Sequence, residues 1–219
     1  MEISSLTKSL LVLGSGGHAS VLVDILLCQR REILAVFSPV TPSSAVFNGL
    51  QHYMSDDEIL KFDKDQVLLV NGIGSLPKDN NLRKTVYEKF TSLGYSFASV
   101  VADSAVVSRF ATLQSGSQVL HTVVIQADST IAQNTIVNTG ATIDHGCVVG
   151  SHCHIAPGAT LSGGVCLGDM SHVGTGASII QGIQIEKNVT IGAGATVLNN
   201  IDRNALVLGH KAIVIKDGK

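Results

Sequence analysis

The sequence predicts an α/β domain of Rossmann-like topology over residues 1–98, followed by an all-β parallel β-helix of hexapeptide repeats over residues 99–219. Three observations support this division. Every sixth residue from Val101 to Val197 is aliphatic. Near the N-terminus, an apolar strand, a glycine-rich turn and a helical segment follow one another. All three Tyr and five of the six Phe precede residue 98, so the aromatic side chains belong to the first domain.

The repeat of six residues matches neither the period of an α-helix nor the alternation of a strand. It is typical of a parallel β-helix in which each coil has three flat faces. Small residues occupy the position four after each aliphatic, as in Ile155–Ala159 and Ile191–Ala195. We expect the aliphatic to fill the interior and the small residue to turn inward where the coil narrows. Because three hexads make one coil, residues eighteen apart should stack at about 4.8 Å.

The first glycine turn has the form of a phosphate-binding loop. The strand Ser9–Leu13 leads into Gly14–Ala19, whose spacing fits G-x-G-x-x-A, and the apolar segment 21–27 predicts a helix. Backbone N–H groups at such a turn can hold a phosphate. The same pattern also fits a tight strand-to-helix turn without a ligand. A dinucleotide-binding domain would carry an acidic residue after the second strand, Ile33–Phe37. This chain has Ser38 there, which counts against NAD.

A second glycine turn should lie beside the first. The strand Gln66–Val70 leads into Asn71–Gly74. Because ligands of parallel sheets bind outside the carboxyl ends of the strands, Gly14–His18 and Gly72–Gly74 are expected to line one crevice. The other predicted elements are a loop over 39–56, a short helix Asp56–Phe62, a helix Asn80–Leu93, about four parallel strands in total, and one or two closing strands within Asn204–Lys219.

The composition excludes several classes of partner. The formal charge is −2 and there is no block of Lys and Arg, so nucleic acid is not expected. Aliphatic runs are far shorter than the roughly 20 residues that cross a bilayer, and Met1–Ser5 does not resemble a secretory signal. Cys147 and Cys153 occupy inward small-residue positions, and no C-x-x-C motif occurs. We therefore expect a cytoplasmic protein with buried, reduced thiols and no membrane insertion.

One histidine is a candidate for acid–base chemistry. His145 follows the inward Ile143 by two positions and should point outward, next to Asp144. An imidazole there can act as a general base. Gly163, eighteen residues on, should leave room for a substrate and expose a backbone N–H that can hold a developing oxyanion. A surface histidine on a polar face is the alternative interpretation.

A metal site is not expected. His154 and His172 are eighteen apart and should stack on successive coils, but this supplies only two ligands in line. His152 belongs to a different column.

The two glycine turns, the run Asn138–His145 and the hexads resemble the bacterial sugar acetyltransferases of the hexapeptide class. The most similar branch contains the UDP-4-amino-sugar N-acetyltransferases of bacillosamine type, the perosamine N-acetyltransferases and the sialic acid O-acetyltransferases. The resemblance covers nearly the whole chain. It implies that the β-helix is left-handed and the protein a homotrimer. It also implies that acetyl-CoA lies between neighbouring β-helices and that the N-terminal domain grips a nucleotide-sugar.

The resemblance also implies a role for individual residues. His145 resembles the family's general base, and Asn138 resembles a residue that contacts the substrate amine. Gly163 resembles the residue whose backbone amide faces the thioester oxygen. Asp144 is the adjacent residue that could orient the imidazole. The residues expected to contact acetyl-CoA are His154, Gly174, Thr175 and Ala193. Those expected to hold the diphosphate and sugar are Gly14, Ser15, Gly16, Gly17 and His18, with Gly74 in the same crevice.

Three departures from the family pattern affect these expectations. Relatives that use UDP commonly carry Asp-Asp after the second strand, where this chain has Ser38-Pro39, so the nucleotide is left open. Many relatives have an acidic residue after the catalytic histidine, where this chain has Gly146. The tail common in the family, Gly-x-Pro-Ala-Lys, is replaced from Gly209 onward by Gly-His-Lys-Ala-Ile.

The sequence therefore predicts an acetyl-CoA-dependent N-acetyltransferase for a nucleotide-linked amino sugar in surface-glycan (lipopolysaccharide) biosynthesis. The sugar amine would attack the thioester directly, since no Ser or Cys is placed to form an acyl-enzyme. Three alternatives stay open at this stage. They are O-acetylation of a sialic-acid-like sugar, an inactive nucleotide-sugar-binding scaffold, and an NAD-dependent enzyme built on the glycine turn.

Overall fold

A computed structural model describes residues 8–75, 77 and 81–209. The N-terminal unit is a four-stranded parallel sheet in the order β3-β2-β1-β4, with α1 and α2 packed against it. Neither helix in the described part of the chain has the length and apolarity to cross a bilayer. The elements of this unit are β1 (Ser9–Leu13), α1 (Gly17–Cys28), β2 (Ile33–Phe37), β3 (Gln51–Tyr53), β4 (Val67–Asn71) and α2 (Asn81–Ser92).

The predicted strands and helices of this unit are confirmed, with three differences. Helix α1 begins at Gly17, before its apolar segment, because the glycine turn continues directly into helical backbone. Strand β3 was not predicted. It is only three residues long and pairs at the sheet edge within the segment expected to be a loop. Asp56–Lys61 forms 3-10 turns with Ser55 as N-cap, because the segment is too short for an α-helix.

The chain then winds into a parallel β-helix with three sheets, here called face 1, face 2 and face 3. Except at the last strand of face 1, neighbouring strands of each face pair in register eighteen residues apart, as predicted. Face 1 contains β5 (Val100–Val101), β8 (Gln118–Val119), β11 (Ile136–Val137), β14 (His154–Ile155), β17 (His172–Val173), β20 (Thr190–Ile191) and β22 (Leu206–Val207). Face 2 contains β6 (Val106–Val107), β9 (Val124–Ile125), β12 (Thr142–Ile143), β15 (Thr160–Leu161), β18 (Ser178–Ile179) and β21 (Thr196–Val197). Face 3 contains β7 (Thr112–Leu113), β10 (Thr130–Ile131), β13 (Val148–Val149), β16 (Cys166–Leu167) and β19 (Gln184–Ile185).

The interior of the β-helix is the aliphatic column that the hexads predict. From Val119 to Val197 every sixth residue is buried, and so are small residues such as Ala159 between them. The first three members of the series, Val101, Val107 and Leu113, were expected to be buried but are partly exposed, because no coil lies beneath them. Cys147 and Cys153 are buried and unpaired, as predicted. Burial raises the pKa of the Cys153 thiol to about 12, so it stays protonated.

The N-terminal unit packs against face 1. One apolar core joins Leu10 and Leu22 of that unit to Val100 and Leu120 of the first coils. This core contains residues from both sides of position 98, where the sequence predicts the domain boundary. The boundary itself stays a prediction. At the other end, β22 extends face 1 by pairing with β20. The rest of the predicted closing strands, residues 210–219, lies outside the described residues.

Candidate active site

His145 lies in the turn that joins face 2 to face 3, and its side chain is exposed. Its ring lies against Gly163, one coil further along, as the eighteen-residue rule predicts. A Cβ placed on Gly163 would be 2.6 Å from both Cε1 and Nε2 of His145. Any side chain at position 163 would therefore displace the imidazole. The glycine at this position therefore leaves the ring its place.

The backbone around Gly163 is anchored on both sides, but its own N–H group is free. The N–H of Gly164 donates to the carbonyl of His145 at 2.9 Å, and the carbonyl of Gly163 accepts from Gly182 at 2.9 Å. Within the described residues, the Gly163 N–H group has no acceptor. The His145 ring also makes no hydrogen bond to these residues. The base edge, defined as Asp144, His145 and Gly163, thus presents an imidazole and a free amide side by side.

Asp144 contacts the backbone of His145. Its Oδ1 accepts from the His145 N–H at 2.7 Å. The Asp144 carboxylate therefore stabilises the turn from which the imidazole projects, and it contacts the backbone of His145 and not its ring.

The residues expected to contact acetyl-CoA, together with Asn138, which is expected to contact the substrate amine, lie along a different corner. Asn138, Gly174, Thr175 and Ala193 lie in the turns that leave face 1, and His154 lies on face 1 beside them. Gly174 is buried, and its Cβ would be 2.6 Å from the Ala193 nitrogen, so coil stacking requires a glycine there. We call these five residues the cofactor edge.

Two backbone donors make the cofactor edge chemically suitable for pantetheine. The N–H groups of Thr175 and Ala193 have no acceptor within the described part of the chain. Both residues are exposed, and they lie one coil apart. A ligand chain with two amide carbonyls, which pantetheine has, could accept from both.

His154 is fixed as a neutral imidazole by its partners. Its Nδ1 lies 3.0 Å from the carbonyl of Ser75, which can only accept, so Nδ1 carries the proton. Its Nε2 therefore accepts from the Asn138 side-chain amide at 3.1 Å. Burial, with the nearby His172 and Arg83, lowers the pKa of His154 to about 3 despite the bond to Ser75. The ring is an acceptor towards Asn138 at neutral pH.

His154 and His172 stack as predicted, with ring centroids 4.9 Å apart and perpendicular planes. The Nδ1 of His172 is buried and makes no hydrogen bond to the described part of the chain. Among residues 8–75, 77 and 81–209, no three His, Cys, Asp or Glu side chains are grouped to hold a metal ion.

The glycines of the first turn fall into two kinds. Gly14 has a φ of +91°, and its Cβ would be 3.3 Å from Gly72 of the second turn, so the fold itself requires a glycine. Gly16 and Gly17 differ, because neither has a positive φ and a Cβ on either would meet nothing within 4 Å. Nothing in the described part of the chain demands glycine there. The open space suits the close approach of a ligand to the backbone.

The end of β2 carries hydroxyl groups where a carboxylate would bind a ribose. Ser38 is 5% exposed, and its Oγ accepts from the Ser15 Oγ at 2.8 Å. The Ser38 carbonyl lies 2.9 Å from His52 Nε2. The first bond ties the glycine turn to the end of β2, and the second ties the end of β2 to β3.

A polar interdomain interface joins the glycine turns to face 1, and the sequence did not predict it. The Asn71 carbonyl accepts from Gln118 Nε2 at 2.8 Å and from Arg83 Nη1 at 2.7 Å. Arg83 also donates to the carbonyls of Ile73 and Asn134. Burial lowers the pKa of Arg83 to about 9, and its Nη2 is buried without a partner among the residues that the structure describes. Residues from distant parts of the chain form this interface, so no local motif could have indicated it.

One chain does not bring all the expected site residues together. The glycine turns lie beside face 1, because His18 and Ser75 bond to Gln118 and His154 of that face. The cofactor edge adjoins the same face. His145 lies where faces 2 and 3 meet, which is the corner opposite face 1 in a three-sided coil. The base edge and the glycine turns are therefore on opposite sides of their own β-helix.

Comparison with known families matches both parts of the chain. Residues 9–90 match the PglD N-terminal domain. Residues 128–163 match the bacterial transferase hexapeptide family (six repeats). The second match includes Asn138, His145 and Gly163.

Solved structures resemble nearly the whole chain. The acetyltransferase domain of PglB from Neisseria gonorrhoeae FA1090 is 31% identical with a TM-score of 0.84, over 92% of this chain and 97% of that one. That domain has also been solved with acetyl coenzyme A, at 30% identity and a TM-score of 0.85, over 92% of this chain and 96% of that one. PerB from Caulobacter crescentus, in complex with CoA and GDP-perosamine, is 31% identical with a TM-score of 0.83, over 92% and 94% of the two chains.

Proposed function

The chain belongs to the bacterial sugar acetyltransferases built from a PglD-type N-terminal domain and a left-handed hexapeptide β-helix, and on that premise we propose that it N-acetylates a nucleotide-linked amino sugar. The observation that carries the proposal is the base edge. An exposed imidazole lies against a glycine whose N–H is free. A base and an oxyanion donor at one point are the groups that acyl transfer to an amine requires.

In the proposed mechanism, acetyl-CoA supplies the acetyl group as a thioester. The sugar amine attacks the thioester carbon, so a C–N bond forms and the C–S bond breaks. His145 accepts the proton that the amine loses and can return it to the leaving sulfur. The Gly163 N–H donates to the carbonyl oxygen as negative charge develops there. Thr175 and Ala193 hold the pantetheine amides, and the glycine turns hold the diphosphate.

Nitrogen is the proposed acceptor atom because a relative at 31% identity was solved with an amino-sugar nucleotide, GDP-perosamine. O-acetylation of a sialic-acid-like sugar is the second candidate, and it would use the same base edge. The nucleotide stays open, since no carboxylate follows β2. A cytoplasmic role in surface-glycan synthesis remains an expectation.

The direct test is a panel of GDP- and UDP-linked 4-amino sugars with acetyl-CoA, in which release of free thiol is measured. At least one amino sugar should release thiol, and its 4-hydroxy counterpart should not. If only the hydroxyl sugars cause release of thiol, the reaction is O-acetylation and not N-acetylation. If acetyl-CoA neither reacts nor raises the melting temperature, the chain is a scaffold.

We also propose a homotrimer with sites between subunits. Because the base edge and the glycine turns lie on opposite sides of one β-helix, His145 cannot reach a sugar held by its own chain. A three-sided prism can present one subunit's base edge to the next subunit's cofactor edge, and threefold symmetry repeats this contact three times. The trimer would thus complete each site.

Complementation tests this assembly. Gly16→Val should block binding of the nucleotide-sugar, because the new side chain fills the open space in which the ligand would approach the backbone. It should leave the fold and acetyl-CoA binding intact, because a Cβ at this position meets no atom within 4 Å. His145→Ala should remove the base. When the two inactive variants are unfolded, mixed in equal amounts and refolded together, roughly one quarter of the wild-type rate should return, because random assembly pairs an intact base edge with an intact glycine turn at that frequency.

The control is each variant refolded alone, with light scattering to verify the mass of three chains. Mixed trimers with no restored activity would mean that each site lies within one chain, and the intersubunit proposal would be abandoned.

A further inference from the structure

His18 belongs to the first glycine turn and lies against Gly74 of the second. It is the second residue of α1, and its Cβ is 3.6 Å from where a Cβ on Gly74 would be. Its Nε2 is 2.7 Å from Oε1 of Gln118, which reaches across from face 1. Its Nδ1 has no partner within the described residues and is not among the buried unsatisfied atoms. One nitrogen of the ring is thus occupied and the other is open.

The Gln118 side chain can adopt only one orientation. It is fully buried, and its Nε2 donates to the Asn71 carbonyl at 2.8 Å. Turning the amide over would place Oε1 against that carbonyl, which also only accepts. Oε1 therefore faces His18 and must accept, so the proton of His18 is on Nε2.

His18 also stays uncharged. Burial and the positive charge of Arg83 lower its pKa to about 4, although the bond to Gln118 opposes this. The interdomain interface also contains His152 and His154, and among the described residues no carboxylate contacts His18. A neutral ring with its proton on Nε2 has a lone pair at Nδ1.

We infer that His18 recognises a hydrogen-bond donor of the sugar, a hydroxyl or an amino group, through Nδ1, and that Gln118 is the positioning residue that fixes this state. The inference rests on the proposed function and deepens it. A lone pair repels a phosphate, so His18 does not share in holding the diphosphate. That task is left to the backbone of Gly16 and Gly17, where the space is open.

The test measures tautomer and affinity separately. In two-bond ¹H–¹⁵N spectra of the free protein, His18 should show a protonated Nε2 and a bare Nδ1 at pH 7. By calorimetry, Gln118→Met should bind the nucleotide-linked amino sugars about tenfold more weakly, the loss expected for one hydrogen bond, while free GDP or UDP binds as to the wild type. Gln118→Glu, whose carboxylate stabilises a charged His18, should lose the sugar preference in the same way.

The matched control is Gln184→Met, at the same hexad position on face 3 but exposed, which should change neither affinity. A His18 proton on Nδ1 would overturn the inference. So would an equal loss of free nucleotide and nucleotide-sugar in Gln118→Met, which would make Gln118 only a support of the fold. If the wild type transfers acetyl groups in either case, the proposed function survives. If the wild type binds no nucleotide-sugar, the proposed function and the sugar contact both fail.

Discussion

His145→Ala is expected to lower kcat by roughly 10²–10⁴-fold, the range typical of general acid–base catalysis. The imidazole is the one side chain of the base edge that can take a proton from the attacking amine, while Asp144 is engaged with the backbone. Since the side chain is exposed and free of hydrogen bonds within the described residues, its removal should leave the fold and acetyl-CoA binding unchanged. Thiol release at saturating substrates measures the effect.

Gly163→Ala provides a matched variant that keeps the imidazole. Its methyl group would lie 2.6 Å from Cε1 and Nε2, so the ring must move, and kcat should fall while the melting temperature stays near that of the wild type. If His145→Ala retains nearly full turnover, His145 is not the base.

Ile155→Asp is expected to prevent folding. Ile155 is fully buried in the aliphatic column, and its neighbours across the strands are Val137 and Val173. An unpaired carboxylate there loses the packing of the aliphatic and is itself costly to bury, together on the order of 5–10 kcal/mol. The total stability of a domain is about 5–15 kcal/mol, so little or none would remain.

The measurement is soluble yield and circular dichroism of the purified variant. Ser178→Asp is the control, because Ser178 occupies the exposed, outward position of a face-2 strand and a charge there stays in water. A soluble, cooperatively melting Ile155→Asp protein would show that the aliphatic series does not form the interior.

The period of six predicted most of the β-helix because every coil repeats one local rule. The same rule placed His145 beside Gly163, since residues eighteen apart must stack. The same period also predicts that Asn138 and His145 lie at different corners of the coil, because they are seven residues apart and one strand separates them. The division of the site between two sides of the chain follows from that spacing.

The interdomain interface has no such period. Gln118 looks like any outward strand residue, and Asn71 like part of a glycine turn, until the two units pack together. Arg83 stands among ordinary helix residues, and only the folded chain shows that it is buried. Strand β3 escaped prediction for another reason: three residues carry too little pattern, and its pairing depends on an edge that β2 supplies.

The interdomain interface has a consequence for how solvent conditions act on the molecule. None of the ion pairs among the described residues crosses it, so added salt has no attraction there to screen. Acid acts differently, because burial lowers the pKa of His18, His152 and His154 below that of a free imidazole. As the pH falls below about 6.5, these histidines become protonated in the unfolded chain but stay neutral in the folded one. The free energy of unfolding that they contribute above that pH is therefore progressively lost. The stability of the folded chain therefore depends on proton concentration through these three imidazoles, and no described ion pair across the interface adds a dependence on ionic strength.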